Sequence, residues 1–210
     1  MKNEIKTIKR ANEVTGGLSD PSKMPCYGYS IPASLCIVGS KLRDIVGSVC
    51  EGCYADKGNY RFSNVKMSLM NRYHKLQHDL WIDGMVFLIK AKSRDYFRWH
   101  DSGDLQSVDH LGQIVEVCYQ TPKTKHWLPT RELGIVKQFI TEGGIIPKNL
   151  VIRVSATMID GKPTKAWKWT STVTRHKVLS NCHAPDNAGH CGDCRKCWDK
   201  RFLNIAYLKH

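Results

Sequence analysis

Residues 96–118 read YFRWHDSGDLQSVDHLGQIVEVC, and this stretch decides the fold. The segment from Tyr96 to His100 is short, aromatic and bounded by polar turn residues, which is typical of a β-strand. Ser107 is a favoured N-cap residue and opens a segment whose apolar residues recur at helical spacing. The apolar face of that helix consists of Val108, Leu111, Val115 and Cys118. A strand that leads directly into an amphipathic helix predicts one βα unit of a parallel sheet.

The same alternation extends on both sides of this unit. Upstream, the spacing of apolar residues predicts a helix from Phe62 to Trp81 and a second helical stretch from Met85 to Lys92. Downstream, the pattern predicts a strand at Lys125 to Leu128, a helix at Arg131 to Thr141 and a strand at Leu150 to Ser155. In the last helix Leu133, Val136 and Ile140 are expected to face inward, and Gly143-Gly144 to end it.

The alternation stops near residue 160. A basic, aromatic loop follows from Lys162 to Trp169, then a short predicted strand at His176 to Leu179, and then a cysteine-rich tail. We therefore expect a single α/β domain over residues 1–210, in the form of an incomplete (β/α) barrel or curled parallel sheet with a cysteine-rich C-terminal extension. Residues 1–25 form an N-terminal arm, and residues 160–210 form the basic loop and tail within the same domain.

Composition narrows the classes of function. The chain has 210 residues, nine cysteines and a formal net charge of +13. We expect a cytoplasmic protein without a membrane partner, because it has no long apolar run and no apolar signal segment at its N-terminus. Reduced thiols in that compartment favour metal binding or catalysis over disulfides. The positive charge is compatible with nucleic acid as a partner, or with a solvated basic surface.

The tail carries Cys182 and the run Cys191-x2-Cys194-x2-Cys197. Thiolates separated by two residues reach one metal from a single turn, so this spacing predicts a metal site. This spacing is typical of a [4Fe–4S] cluster, with Cys182 as the fourth ligand. A structural zinc site with four cysteines is the alternative.

A second group of cysteines lies in the first quarter of the chain. Cys50 and Cys53 again have the spacing of a tight turn, and either Cys36 or Cys26 could fold back onto them. A reduced pair without a metal is the alternative. Cys118 belongs to a helix face and is expected to be a buried apolar residue.

Polar residues follow each central strand of the predicted sheet. Chemistry in parallel α/β folds collects at the carboxyl ends of strands, so we expect a site at this edge. Each residue also has a structural alternative, such as capping or a surface ion pair. His74, His78 and His110 are expected to be solvated. The candidates at the strand ends are His100, Asp101 and Asp104 as catalytic residues, and Ser102, Gly103, Thr130, Arg131 and Ser155 as cofactor-binding residues.

Four runs together resemble a family of small bacteriophage proteins, the gene product 88-like group. They are Cys50-Glu-Gly-Cys53-Tyr-Ala, the segment from Phe97 to Asp104, the segment from Trp127 to Glu132, and the segment from Cys191 to Trp198. Members of this group look like distant, shortened relatives of radical S-adenosylmethionine enzymes. The resemblance implies that Cys36, Cys50 and Cys53 hold a [4Fe–4S] cluster, with Ser102-Gly103-Asp104 beside it at the mouth of a partial barrel.

Two functions follow from these patterns. The first is an iron–sulfur enzyme with one or two [4Fe–4S] clusters, in which His100, Asp101, Asp104 and Arg131 position substrate or a small-molecule cofactor such as S-adenosylmethionine. The second is a nucleic-acid-binding protein with a structural or redox-sensing iron–sulfur or zinc site, in which the Lys162 to Trp169 loop contacts phosphates and bases. If the chain is encoded by a phage, its compartment is the host cytoplasm.

Overall fold

A computed structural model describes residues 4–93 and 95–209. Within them, a six-stranded parallel sheet has the same strand order in space as along the chain. The sheet is open, as expected for a curled sheet or an incomplete barrel, so the predicted fold class is confirmed. The strands are β1 (Gly28–Tyr29), β2 (Tyr96–Trp99), β3 (Lys125–Thr130), β4 (Leu150–Ser155), β5 (Thr170–Thr174) and β6 (Asn204–Leu208).

The side of the sheet on which the helices lie follows from this strand order. When consecutive strands are neighbours and every crossover has the same hand, the connecting helices lie on one face of the sheet. None of the helices in the described ranges is long and apolar enough to cross a membrane. The helices are α1 (Ile8–Thr15), α2 (Ile37–Leu42), α3 (Ser63–Lys75), α4 (Trp81–Lys92), α5 (Val108–Gln120) and α6 (Leu133–Thr141).

The two faces of the sheet carry different cores, because successive side chains of a strand point to opposite sides. On one face Phe97, Trp99 and Leu128 pack with residues of α4 and α5 in the main hydrophobic core. On the other face Trp127 and Val151 pack with residues of the tail. The cysteine-rich tail therefore covers the face that the helices leave free.

The N-terminal arm contains a helix that is packed onto the main body. Thr7 caps α1 by accepting a hydrogen bond from the Arg10 amide at 3.1 Å. Ala11 and Val14 are fully buried and form a small core with Leu88 of α4. These contacts fix the arm against the helical layer.

The predicted strand at His176 to Leu179 is wrong. Residues Lys177–Leu179 form a 3-10 turn, and Val178 is 92% exposed. The actual strand is β5, whose threonines and Val173 satisfy the β-branched preference of strands without forming an apolar run. The short strand β1 and the late strand β6 were not predicted.

Two helical predictions also need correction. The apolar spacing from Phe62 to Trp81 spans two helices, α3 and α4, separated by a turn in which the Leu80 amide donates to Nδ1 of His78 at 3.1 Å. In α6, Ile140 is 43% exposed, and Ile135 and Phe139 pack against the main core instead. Val136 is buried as expected, and Cys118 is buried on α5.

Candidate metal centres and the strand-end site

Cys36, Cys50 and Cys53 come together at the carboxyl end of the sheet. The sulfurs of Cys36 and Cys50 each lie 3.6 Å from the position that a Cβ on Gly39 would occupy. The charges of Cys50 and Cys53 act on the pKa of Cys36, as does the carboxylate of Asp104. We call these three cysteines the strand-end thiols.

Gly39 leaves open a space beside the sulfurs of Cys36 and Cys50. A Cβ at this position would stand 2.9 Å from the Cβ of Cys36, closer than real side chains approach. A methyl group there would fill the gap beside both sulfurs. The residues around this cradle are soft thiol donors, which suit iron–sulfur clusters and zinc.

Glu132 holds the segment that carries Cys36. Its Oε1 accepts a hydrogen bond from the Val38 amide at 2.8 Å, at the start of α2. Its own amide donates to Oγ1 of Thr130 at 3.0 Å. Burial raises the pKa of Glu132, and the bond from Val38 opposes that shift. Cys36 is thereby tied to the carboxyl end of β3.

Ser48 organises the turn that carries Cys50 and Cys53. Its Oγ accepts hydrogen bonds from the amides of Cys50 and Glu51 at 3.2 and 3.0 Å, and donates to the Leu42 carbonyl at 2.5 Å. The Val49 amide donates to the Thr157 carbonyl at 2.9 Å, just beyond β4. The turn is therefore attached to the same edge of the sheet as Cys36.

Asp104 joins the ends of β2 and β3. Its Oδ1 accepts hydrogen bonds from the Thr130 hydroxyl at 2.5 Å and the Leu105 amide at 2.8 Å, and its Oδ2 accepts one from the Arg131 amide at 2.8 Å. Burial raises the pKa of Asp104, whereas these hydrogen bonds and the Arg131 charge lower it. The carboxylate positions Thr130 and Arg131 beside the strand-end thiols.

Asp101, Arg98 and Arg131 each have a buried polar atom without a hydrogen-bond partner among the described residues. Oδ2 of Asp101 accepts a hydrogen bond from the Tyr60 hydroxyl at 2.8 Å, and the Tyr54 hydroxyl donates to the Asp101 carbonyl. Oδ1 of Asp101 and the Nε atoms of Arg98 and Arg131 are buried without a hydrogen-bond partner among the described residues. These atoms are available to a polar ligand.

Other residues predicted for the site are engaged elsewhere. The Ser102 hydroxyl donates to the Ile31 carbonyl at 3.0 Å, and Gly103 has a φ of 77° and lies so close to Ile31 that a Cβ would meet it at 2.4 Å. The Ser155 hydroxyl lies 3.0 Å from that of Ser171 on β5. Ser102 and Gly103 therefore fix the loop after β2 against the chain that follows β1.

His100 is turned toward α5, where its ring centroid lies 5.3 Å from that of His110. The prediction that His110 is solvated is wrong, because only 4% of it is exposed. Nδ1 of His110 accepts a hydrogen bond from the Gln106 amide at 3.3 Å. Burial lowers the pKa of His110 to about 4, and the pKa of His100 also lies well below its ordinary value. Both imidazoles are neutral at physiological pH.

The tail cysteines form a second group on the other face of the sheet. Charges of Cys182 and Cys194 act on the pKa of Cys191, and that of Cys182 acts on the pKa of Cys197. Cys197 packs on the core of Trp127, Val151 and Trp198. We call Cys182, Cys191, Cys194 and Cys197 the tail thiols.

Cys26, which the sequence did not place, lies beside the tail thiols. It packs in the same small core as Cys197, and the charge of Cys191 acts on its pKa. The segment that precedes it also contacts the tail, because the Cys191 amide donates to the Lys23 carbonyl at 3.1 Å.

Burial is the largest influence on the pKa of cysteines in and beside the two thiol groups. It raises the pKa of Cys36 and of Cys26 to about 12, and that of Cys197 to about 11. These thiols are neutral unless a cation compensates their charge. Across residues 4–93 and 95–209, no three or more His, Cys, Asp or Glu side chains stand in the arrangement of a single metal ion's ligands.

The Lys162 to Trp169 loop presents lysines to solvent and keeps its tryptophans in the fold. Lys162, Lys165 and Lys168 are exposed. Nε1 of Trp167 donates to the Ile152 carbonyl at 2.9 Å, and Nε1 of Trp169 donates to the Lys200 carbonyl at 2.9 Å.

These features define a class: an open, parallel α/β sheet with one thiol group at its carboxyl edge and another in a tail that covers its free face. The chain belongs to the gene product 88 family, a phage gene-product family whose model matches residues 1–200. Neither the search of curated proteins nor the search of solved structures gave a match.

Proposed function

We propose that this protein is an iron–sulfur protein that holds a [4Fe–4S] cluster with Cys36, Cys50 and Cys53, and that it acts as a radical S-adenosylmethionine-like enzyme. The observation that carries the proposal is that the sulfurs of Cys36 and Cys50 lie side by side at Gly39, with the charges of Cys53, Asp104 and Arg131 near enough to act on the pKa of both. A four-iron cluster is larger than one metal ion, so its ligands stand farther apart than those of a single ion.

Such a cluster supplies one electron at a time to a ligand bound beside it. The chain contributes the positions of its ligands and charges. Glu132 and Ser48 hold the loops that carry the thiols, through hydrogen bonds to the amides of Val38 and Cys50. Asp104 fixes Thr130 and Arg131, so the Arg131 guanidinium stays near the thiols.

The open polar atoms suit a small ligand with both charges of an amino acid, as S-adenosylmethionine has. The Arg131 guanidinium would bind a carboxylate, and Oδ1 of Asp101 would accept a hydrogen bond from an ammonium group. Asp104 is a positioning residue in this scheme, because both of its oxygens already accept hydrogen bonds.

We further propose that the tail thiols hold a second centre, either an iron–sulfur cluster or zinc. The charge of Cys194 acts on the pKa of Cys182 and of Cys191, the charge of Cys182 acts on the pKa of Cys197, and the spacing of Cys191, Cys194 and Cys197 suits both centres. Zinc in this position would be structural and would stabilise the tail.

The test is anaerobic purification with iron, zinc and sulfide counted per chain. We expect a brown protein with iron and sulfide in near-equal amounts, and a change in the electron paramagnetic resonance spectrum of the reduced protein when S-adenosylmethionine is added. Cys53→Ala should lose the iron of the strand-end thiols. Cys118→Ala is the matched control, because this thiol is buried on α5 and should leave the metal content unchanged.

Asp104→Ala should weaken the spectral response to S-adenosylmethionine while iron is retained. A colourless, well-folded protein that contains zinc alone would contradict the iron–sulfur assignment. A cluster whose spectrum ignores the cofactor would contradict the radical S-adenosylmethionine-like activity and leave an electron-transfer or structural cluster.

Nucleic-acid binding is the second candidate function. It is favoured by the formal charge of +13 and by the exposed lysines of the Lys162 to Trp169 loop.

A further inference from the structure

Two buried arginines lie near the tail thiols, and the first of them is Arg153. This residue lies on β4, is fully buried and points toward the tail. Its guanidinium donates only to backbone carbonyls of the chain around it. These are the carbonyls of Cys197 at 2.9 Å, Lys196 at 3.1 Å, Asp199 at 2.9 Å, Phe202 at 2.8 Å and Thr170 at 3.5 Å.

Arg98 places a second guanidinium on the same face of the sheet. It lies 4.7 Å from the ring centroid of Trp127. Its Nη1 is 3.5 Å from Sδ of Met24, and that sulfur is in turn 3.8 Å from Sγ of Cys191. Arg98 is thus linked to the tail thiols through one side chain.

Neither guanidinium forms an ion pair with a carboxylate in the described part of the chain. The carboxylate of Asp199 acts on Arg153 from a distance, but it is already paired with Arg201 at 2.6 Å. Asp101 acts on Arg98 in the same way, and one of its oxygens is taken by Tyr60. Buried charges in proteins are ordinarily paired or hydrogen-bonded to compensate the loss of water. Arg153 meets this need through its backbone hydrogen bonds, whereas Nε of Arg98 is buried without a hydrogen-bond partner among the described residues.

A four-thiolate centre would supply the missing negative charge. Zinc or an oxidised [4Fe–4S] core carries two positive charges, and four thiolates carry four negative ones. The centre as a whole therefore has a net charge of minus two, which is the opposite of the charge on Arg98 and Arg153 together.

We propose that Arg98 and Arg153 are the charge-compensating residues of a dianionic four-thiolate centre formed by the tail thiols. Arg153 also positions one ligand, because its Nε holds the Cys197 carbonyl. This inference rests on the second centre proposed above. It adds that this centre carries a net charge of minus two.

Cobalt(II) titration of the metal-free full chain tests the proposal. Cys36→Ala and Cys53→Ala are introduced first, so that the tail thiols are the group that binds. Thiolate-to-cobalt absorption reports binding, and competition with a chelator gives the affinity. Arg98→Met should weaken cobalt binding about tenfold or more, because a buried unit charge that acts on Cys191 and Cys197 is lost.

Arg98→Lys, which keeps the charge, should restore most of the affinity. Arg175→Met is the matched control, because it removes one positive charge from an exposed ion pair with Asp160. Arg153→Met should weaken binding as Arg98→Met does, and Arg98 alone suffices for the test if the Arg153 variant fails to fold.

The outcomes separate the two proposals. If the parent chain binds cobalt through thiolates and Arg98→Met behaves like Arg175→Met, the charge-compensating role is wrong and the metal centre stands. If Arg98→Lys is as weak as Arg98→Met, shape rather than charge is responsible, and the inference again fails. If the parent chain binds no cobalt and also holds no iron after anaerobic purification, the second metal centre itself is wrong.

Discussion

Single buried side chains with several hydrogen bonds fix the thiols of the strand-end site. Glu132, Ser48 and Asp104 each bind backbone amides and connect loops that are far apart in sequence. A polar side chain that is buried with its partners satisfied holds its loop in place, whereas removing it leaves amides without acceptors. The positions of the thiols therefore depend on residues that do not themselves bind metal.

Among the cysteines near the tail, we expect Cys182 and Cys26 to differ. Cys182 is a charge neighbour of Cys191, Cys194 and Cys197, whereas for Cys26 the neighbouring thiol is Cys191. Cys182→Ala should lose the metal of the tail, and Cys26→Ala should keep it. Metal content per chain of the two variants measures this. Loss of metal from Cys26→Ala alone would assign the fourth ligand to Cys26.

Acid should destabilise the protein through its buried histidines. Burial lowers the pKa of His110 to about 4, below the ordinary value of 6.5, so the unfolded chain takes up a proton before the folded one does. Stability is therefore lost as pH falls from about 6.5 toward 4, by roughly 3 kcal/mol for this residue. Urea unfolding at several pH values measures the effect.

His110→Asn isolates that contribution, because its amide oxygen can accept the Gln106 hydrogen bond in place of Nδ1. The variant should lose less stability with acid than the parent. The exposed His74→Asn is the control and should follow the parent. Equal acid dependence in His110→Asn and the parent would show that His110 is not the residue responsible.

At the residue level, the sequence located the cysteines and the polar residues that follow the strands, but not the state of each side chain. The charge of Arg131 acts on the pKa of Cys36, and Asp104 joins Arg131 to Thr130. His110 was misjudged because its polar neighbours on α5 do not reveal that His100 folds back over it. The role of Ser48 could have been predicted from the sequence, because Ser before a tight turn commonly accepts hydrogen bonds from the amides that follow.

At the level of elements, the tail is held by one tryptophan as well as by Arg153. Trp198 packs edge-on against Trp127, with ring centroids 5.2 Å apart, and against Tyr96 at 5.4 Å. Its Nε1 donates to the Phe97 carbonyl at 2.8 Å. The 3-10 turn Lys196–Trp198 is thereby fixed to the middle of the sheet.

Trp198→Ala should release this contact. We expect a loss of about 3–5 kcal/mol in the free energy of unfolding, because a large aromatic side chain leaves a buried position. Urea unfolding gives the free energy, and limited proteolysis should show earlier cleavage in residues 180–200. Val178→Ala, at a position 92% exposed, is the control. Unchanged stability and cleavage in Trp198→Ala would mean that the tail is held elsewhere.

Elements with strong periodicity could be predicted, and those shaped by tertiary contacts could not. The strand Leu150–Ser155 and the helix after Ser107 match their predicted positions, because an apolar run and an N-cap define them locally. The two-residue strand β1 has no local pattern, and it exists because Gly28 and Tyr29 pair with β2. Strand β6 is likewise defined by its pairing with β5.

At the level of the whole molecule, net charge is the dominant property. A formal charge of +13 attracts polyanions over the whole surface, and the effect is screened by salt. The tryptophans of the Lys162 to Trp169 loop donate hydrogen bonds into the fold. Base stacking on them, which the sequence suggested, would require those contacts to break.

A single-stranded oligonucleotide should therefore bind at low salt, mainly through phosphates. The affinity should fall steeply as salt rises, and serine at Lys162, Lys165 and Lys168 should reduce the salt slope by about one unit per lysine. Fluorescence anisotropy over a salt series measures this. Serine at the exposed Lys9, Lys66 and Lys137 is the control. Equal slopes in the two triple variants would exclude the loop as the binding surface.

The strand order has a consequence for how the molecule is made. Because each strand pairs with the one synthesised just before it, the sheet can grow in step with translation. The strand-end thiols and the edge of β4 are then in place while the tail is still emerging from the ribosome. Arg153 and Trp127 remain open until residues 191–202 arrive to cover them. Nascent chains would thus acquire their two thiol groups in sequence, with the strand-end group assembled before the tail is docked.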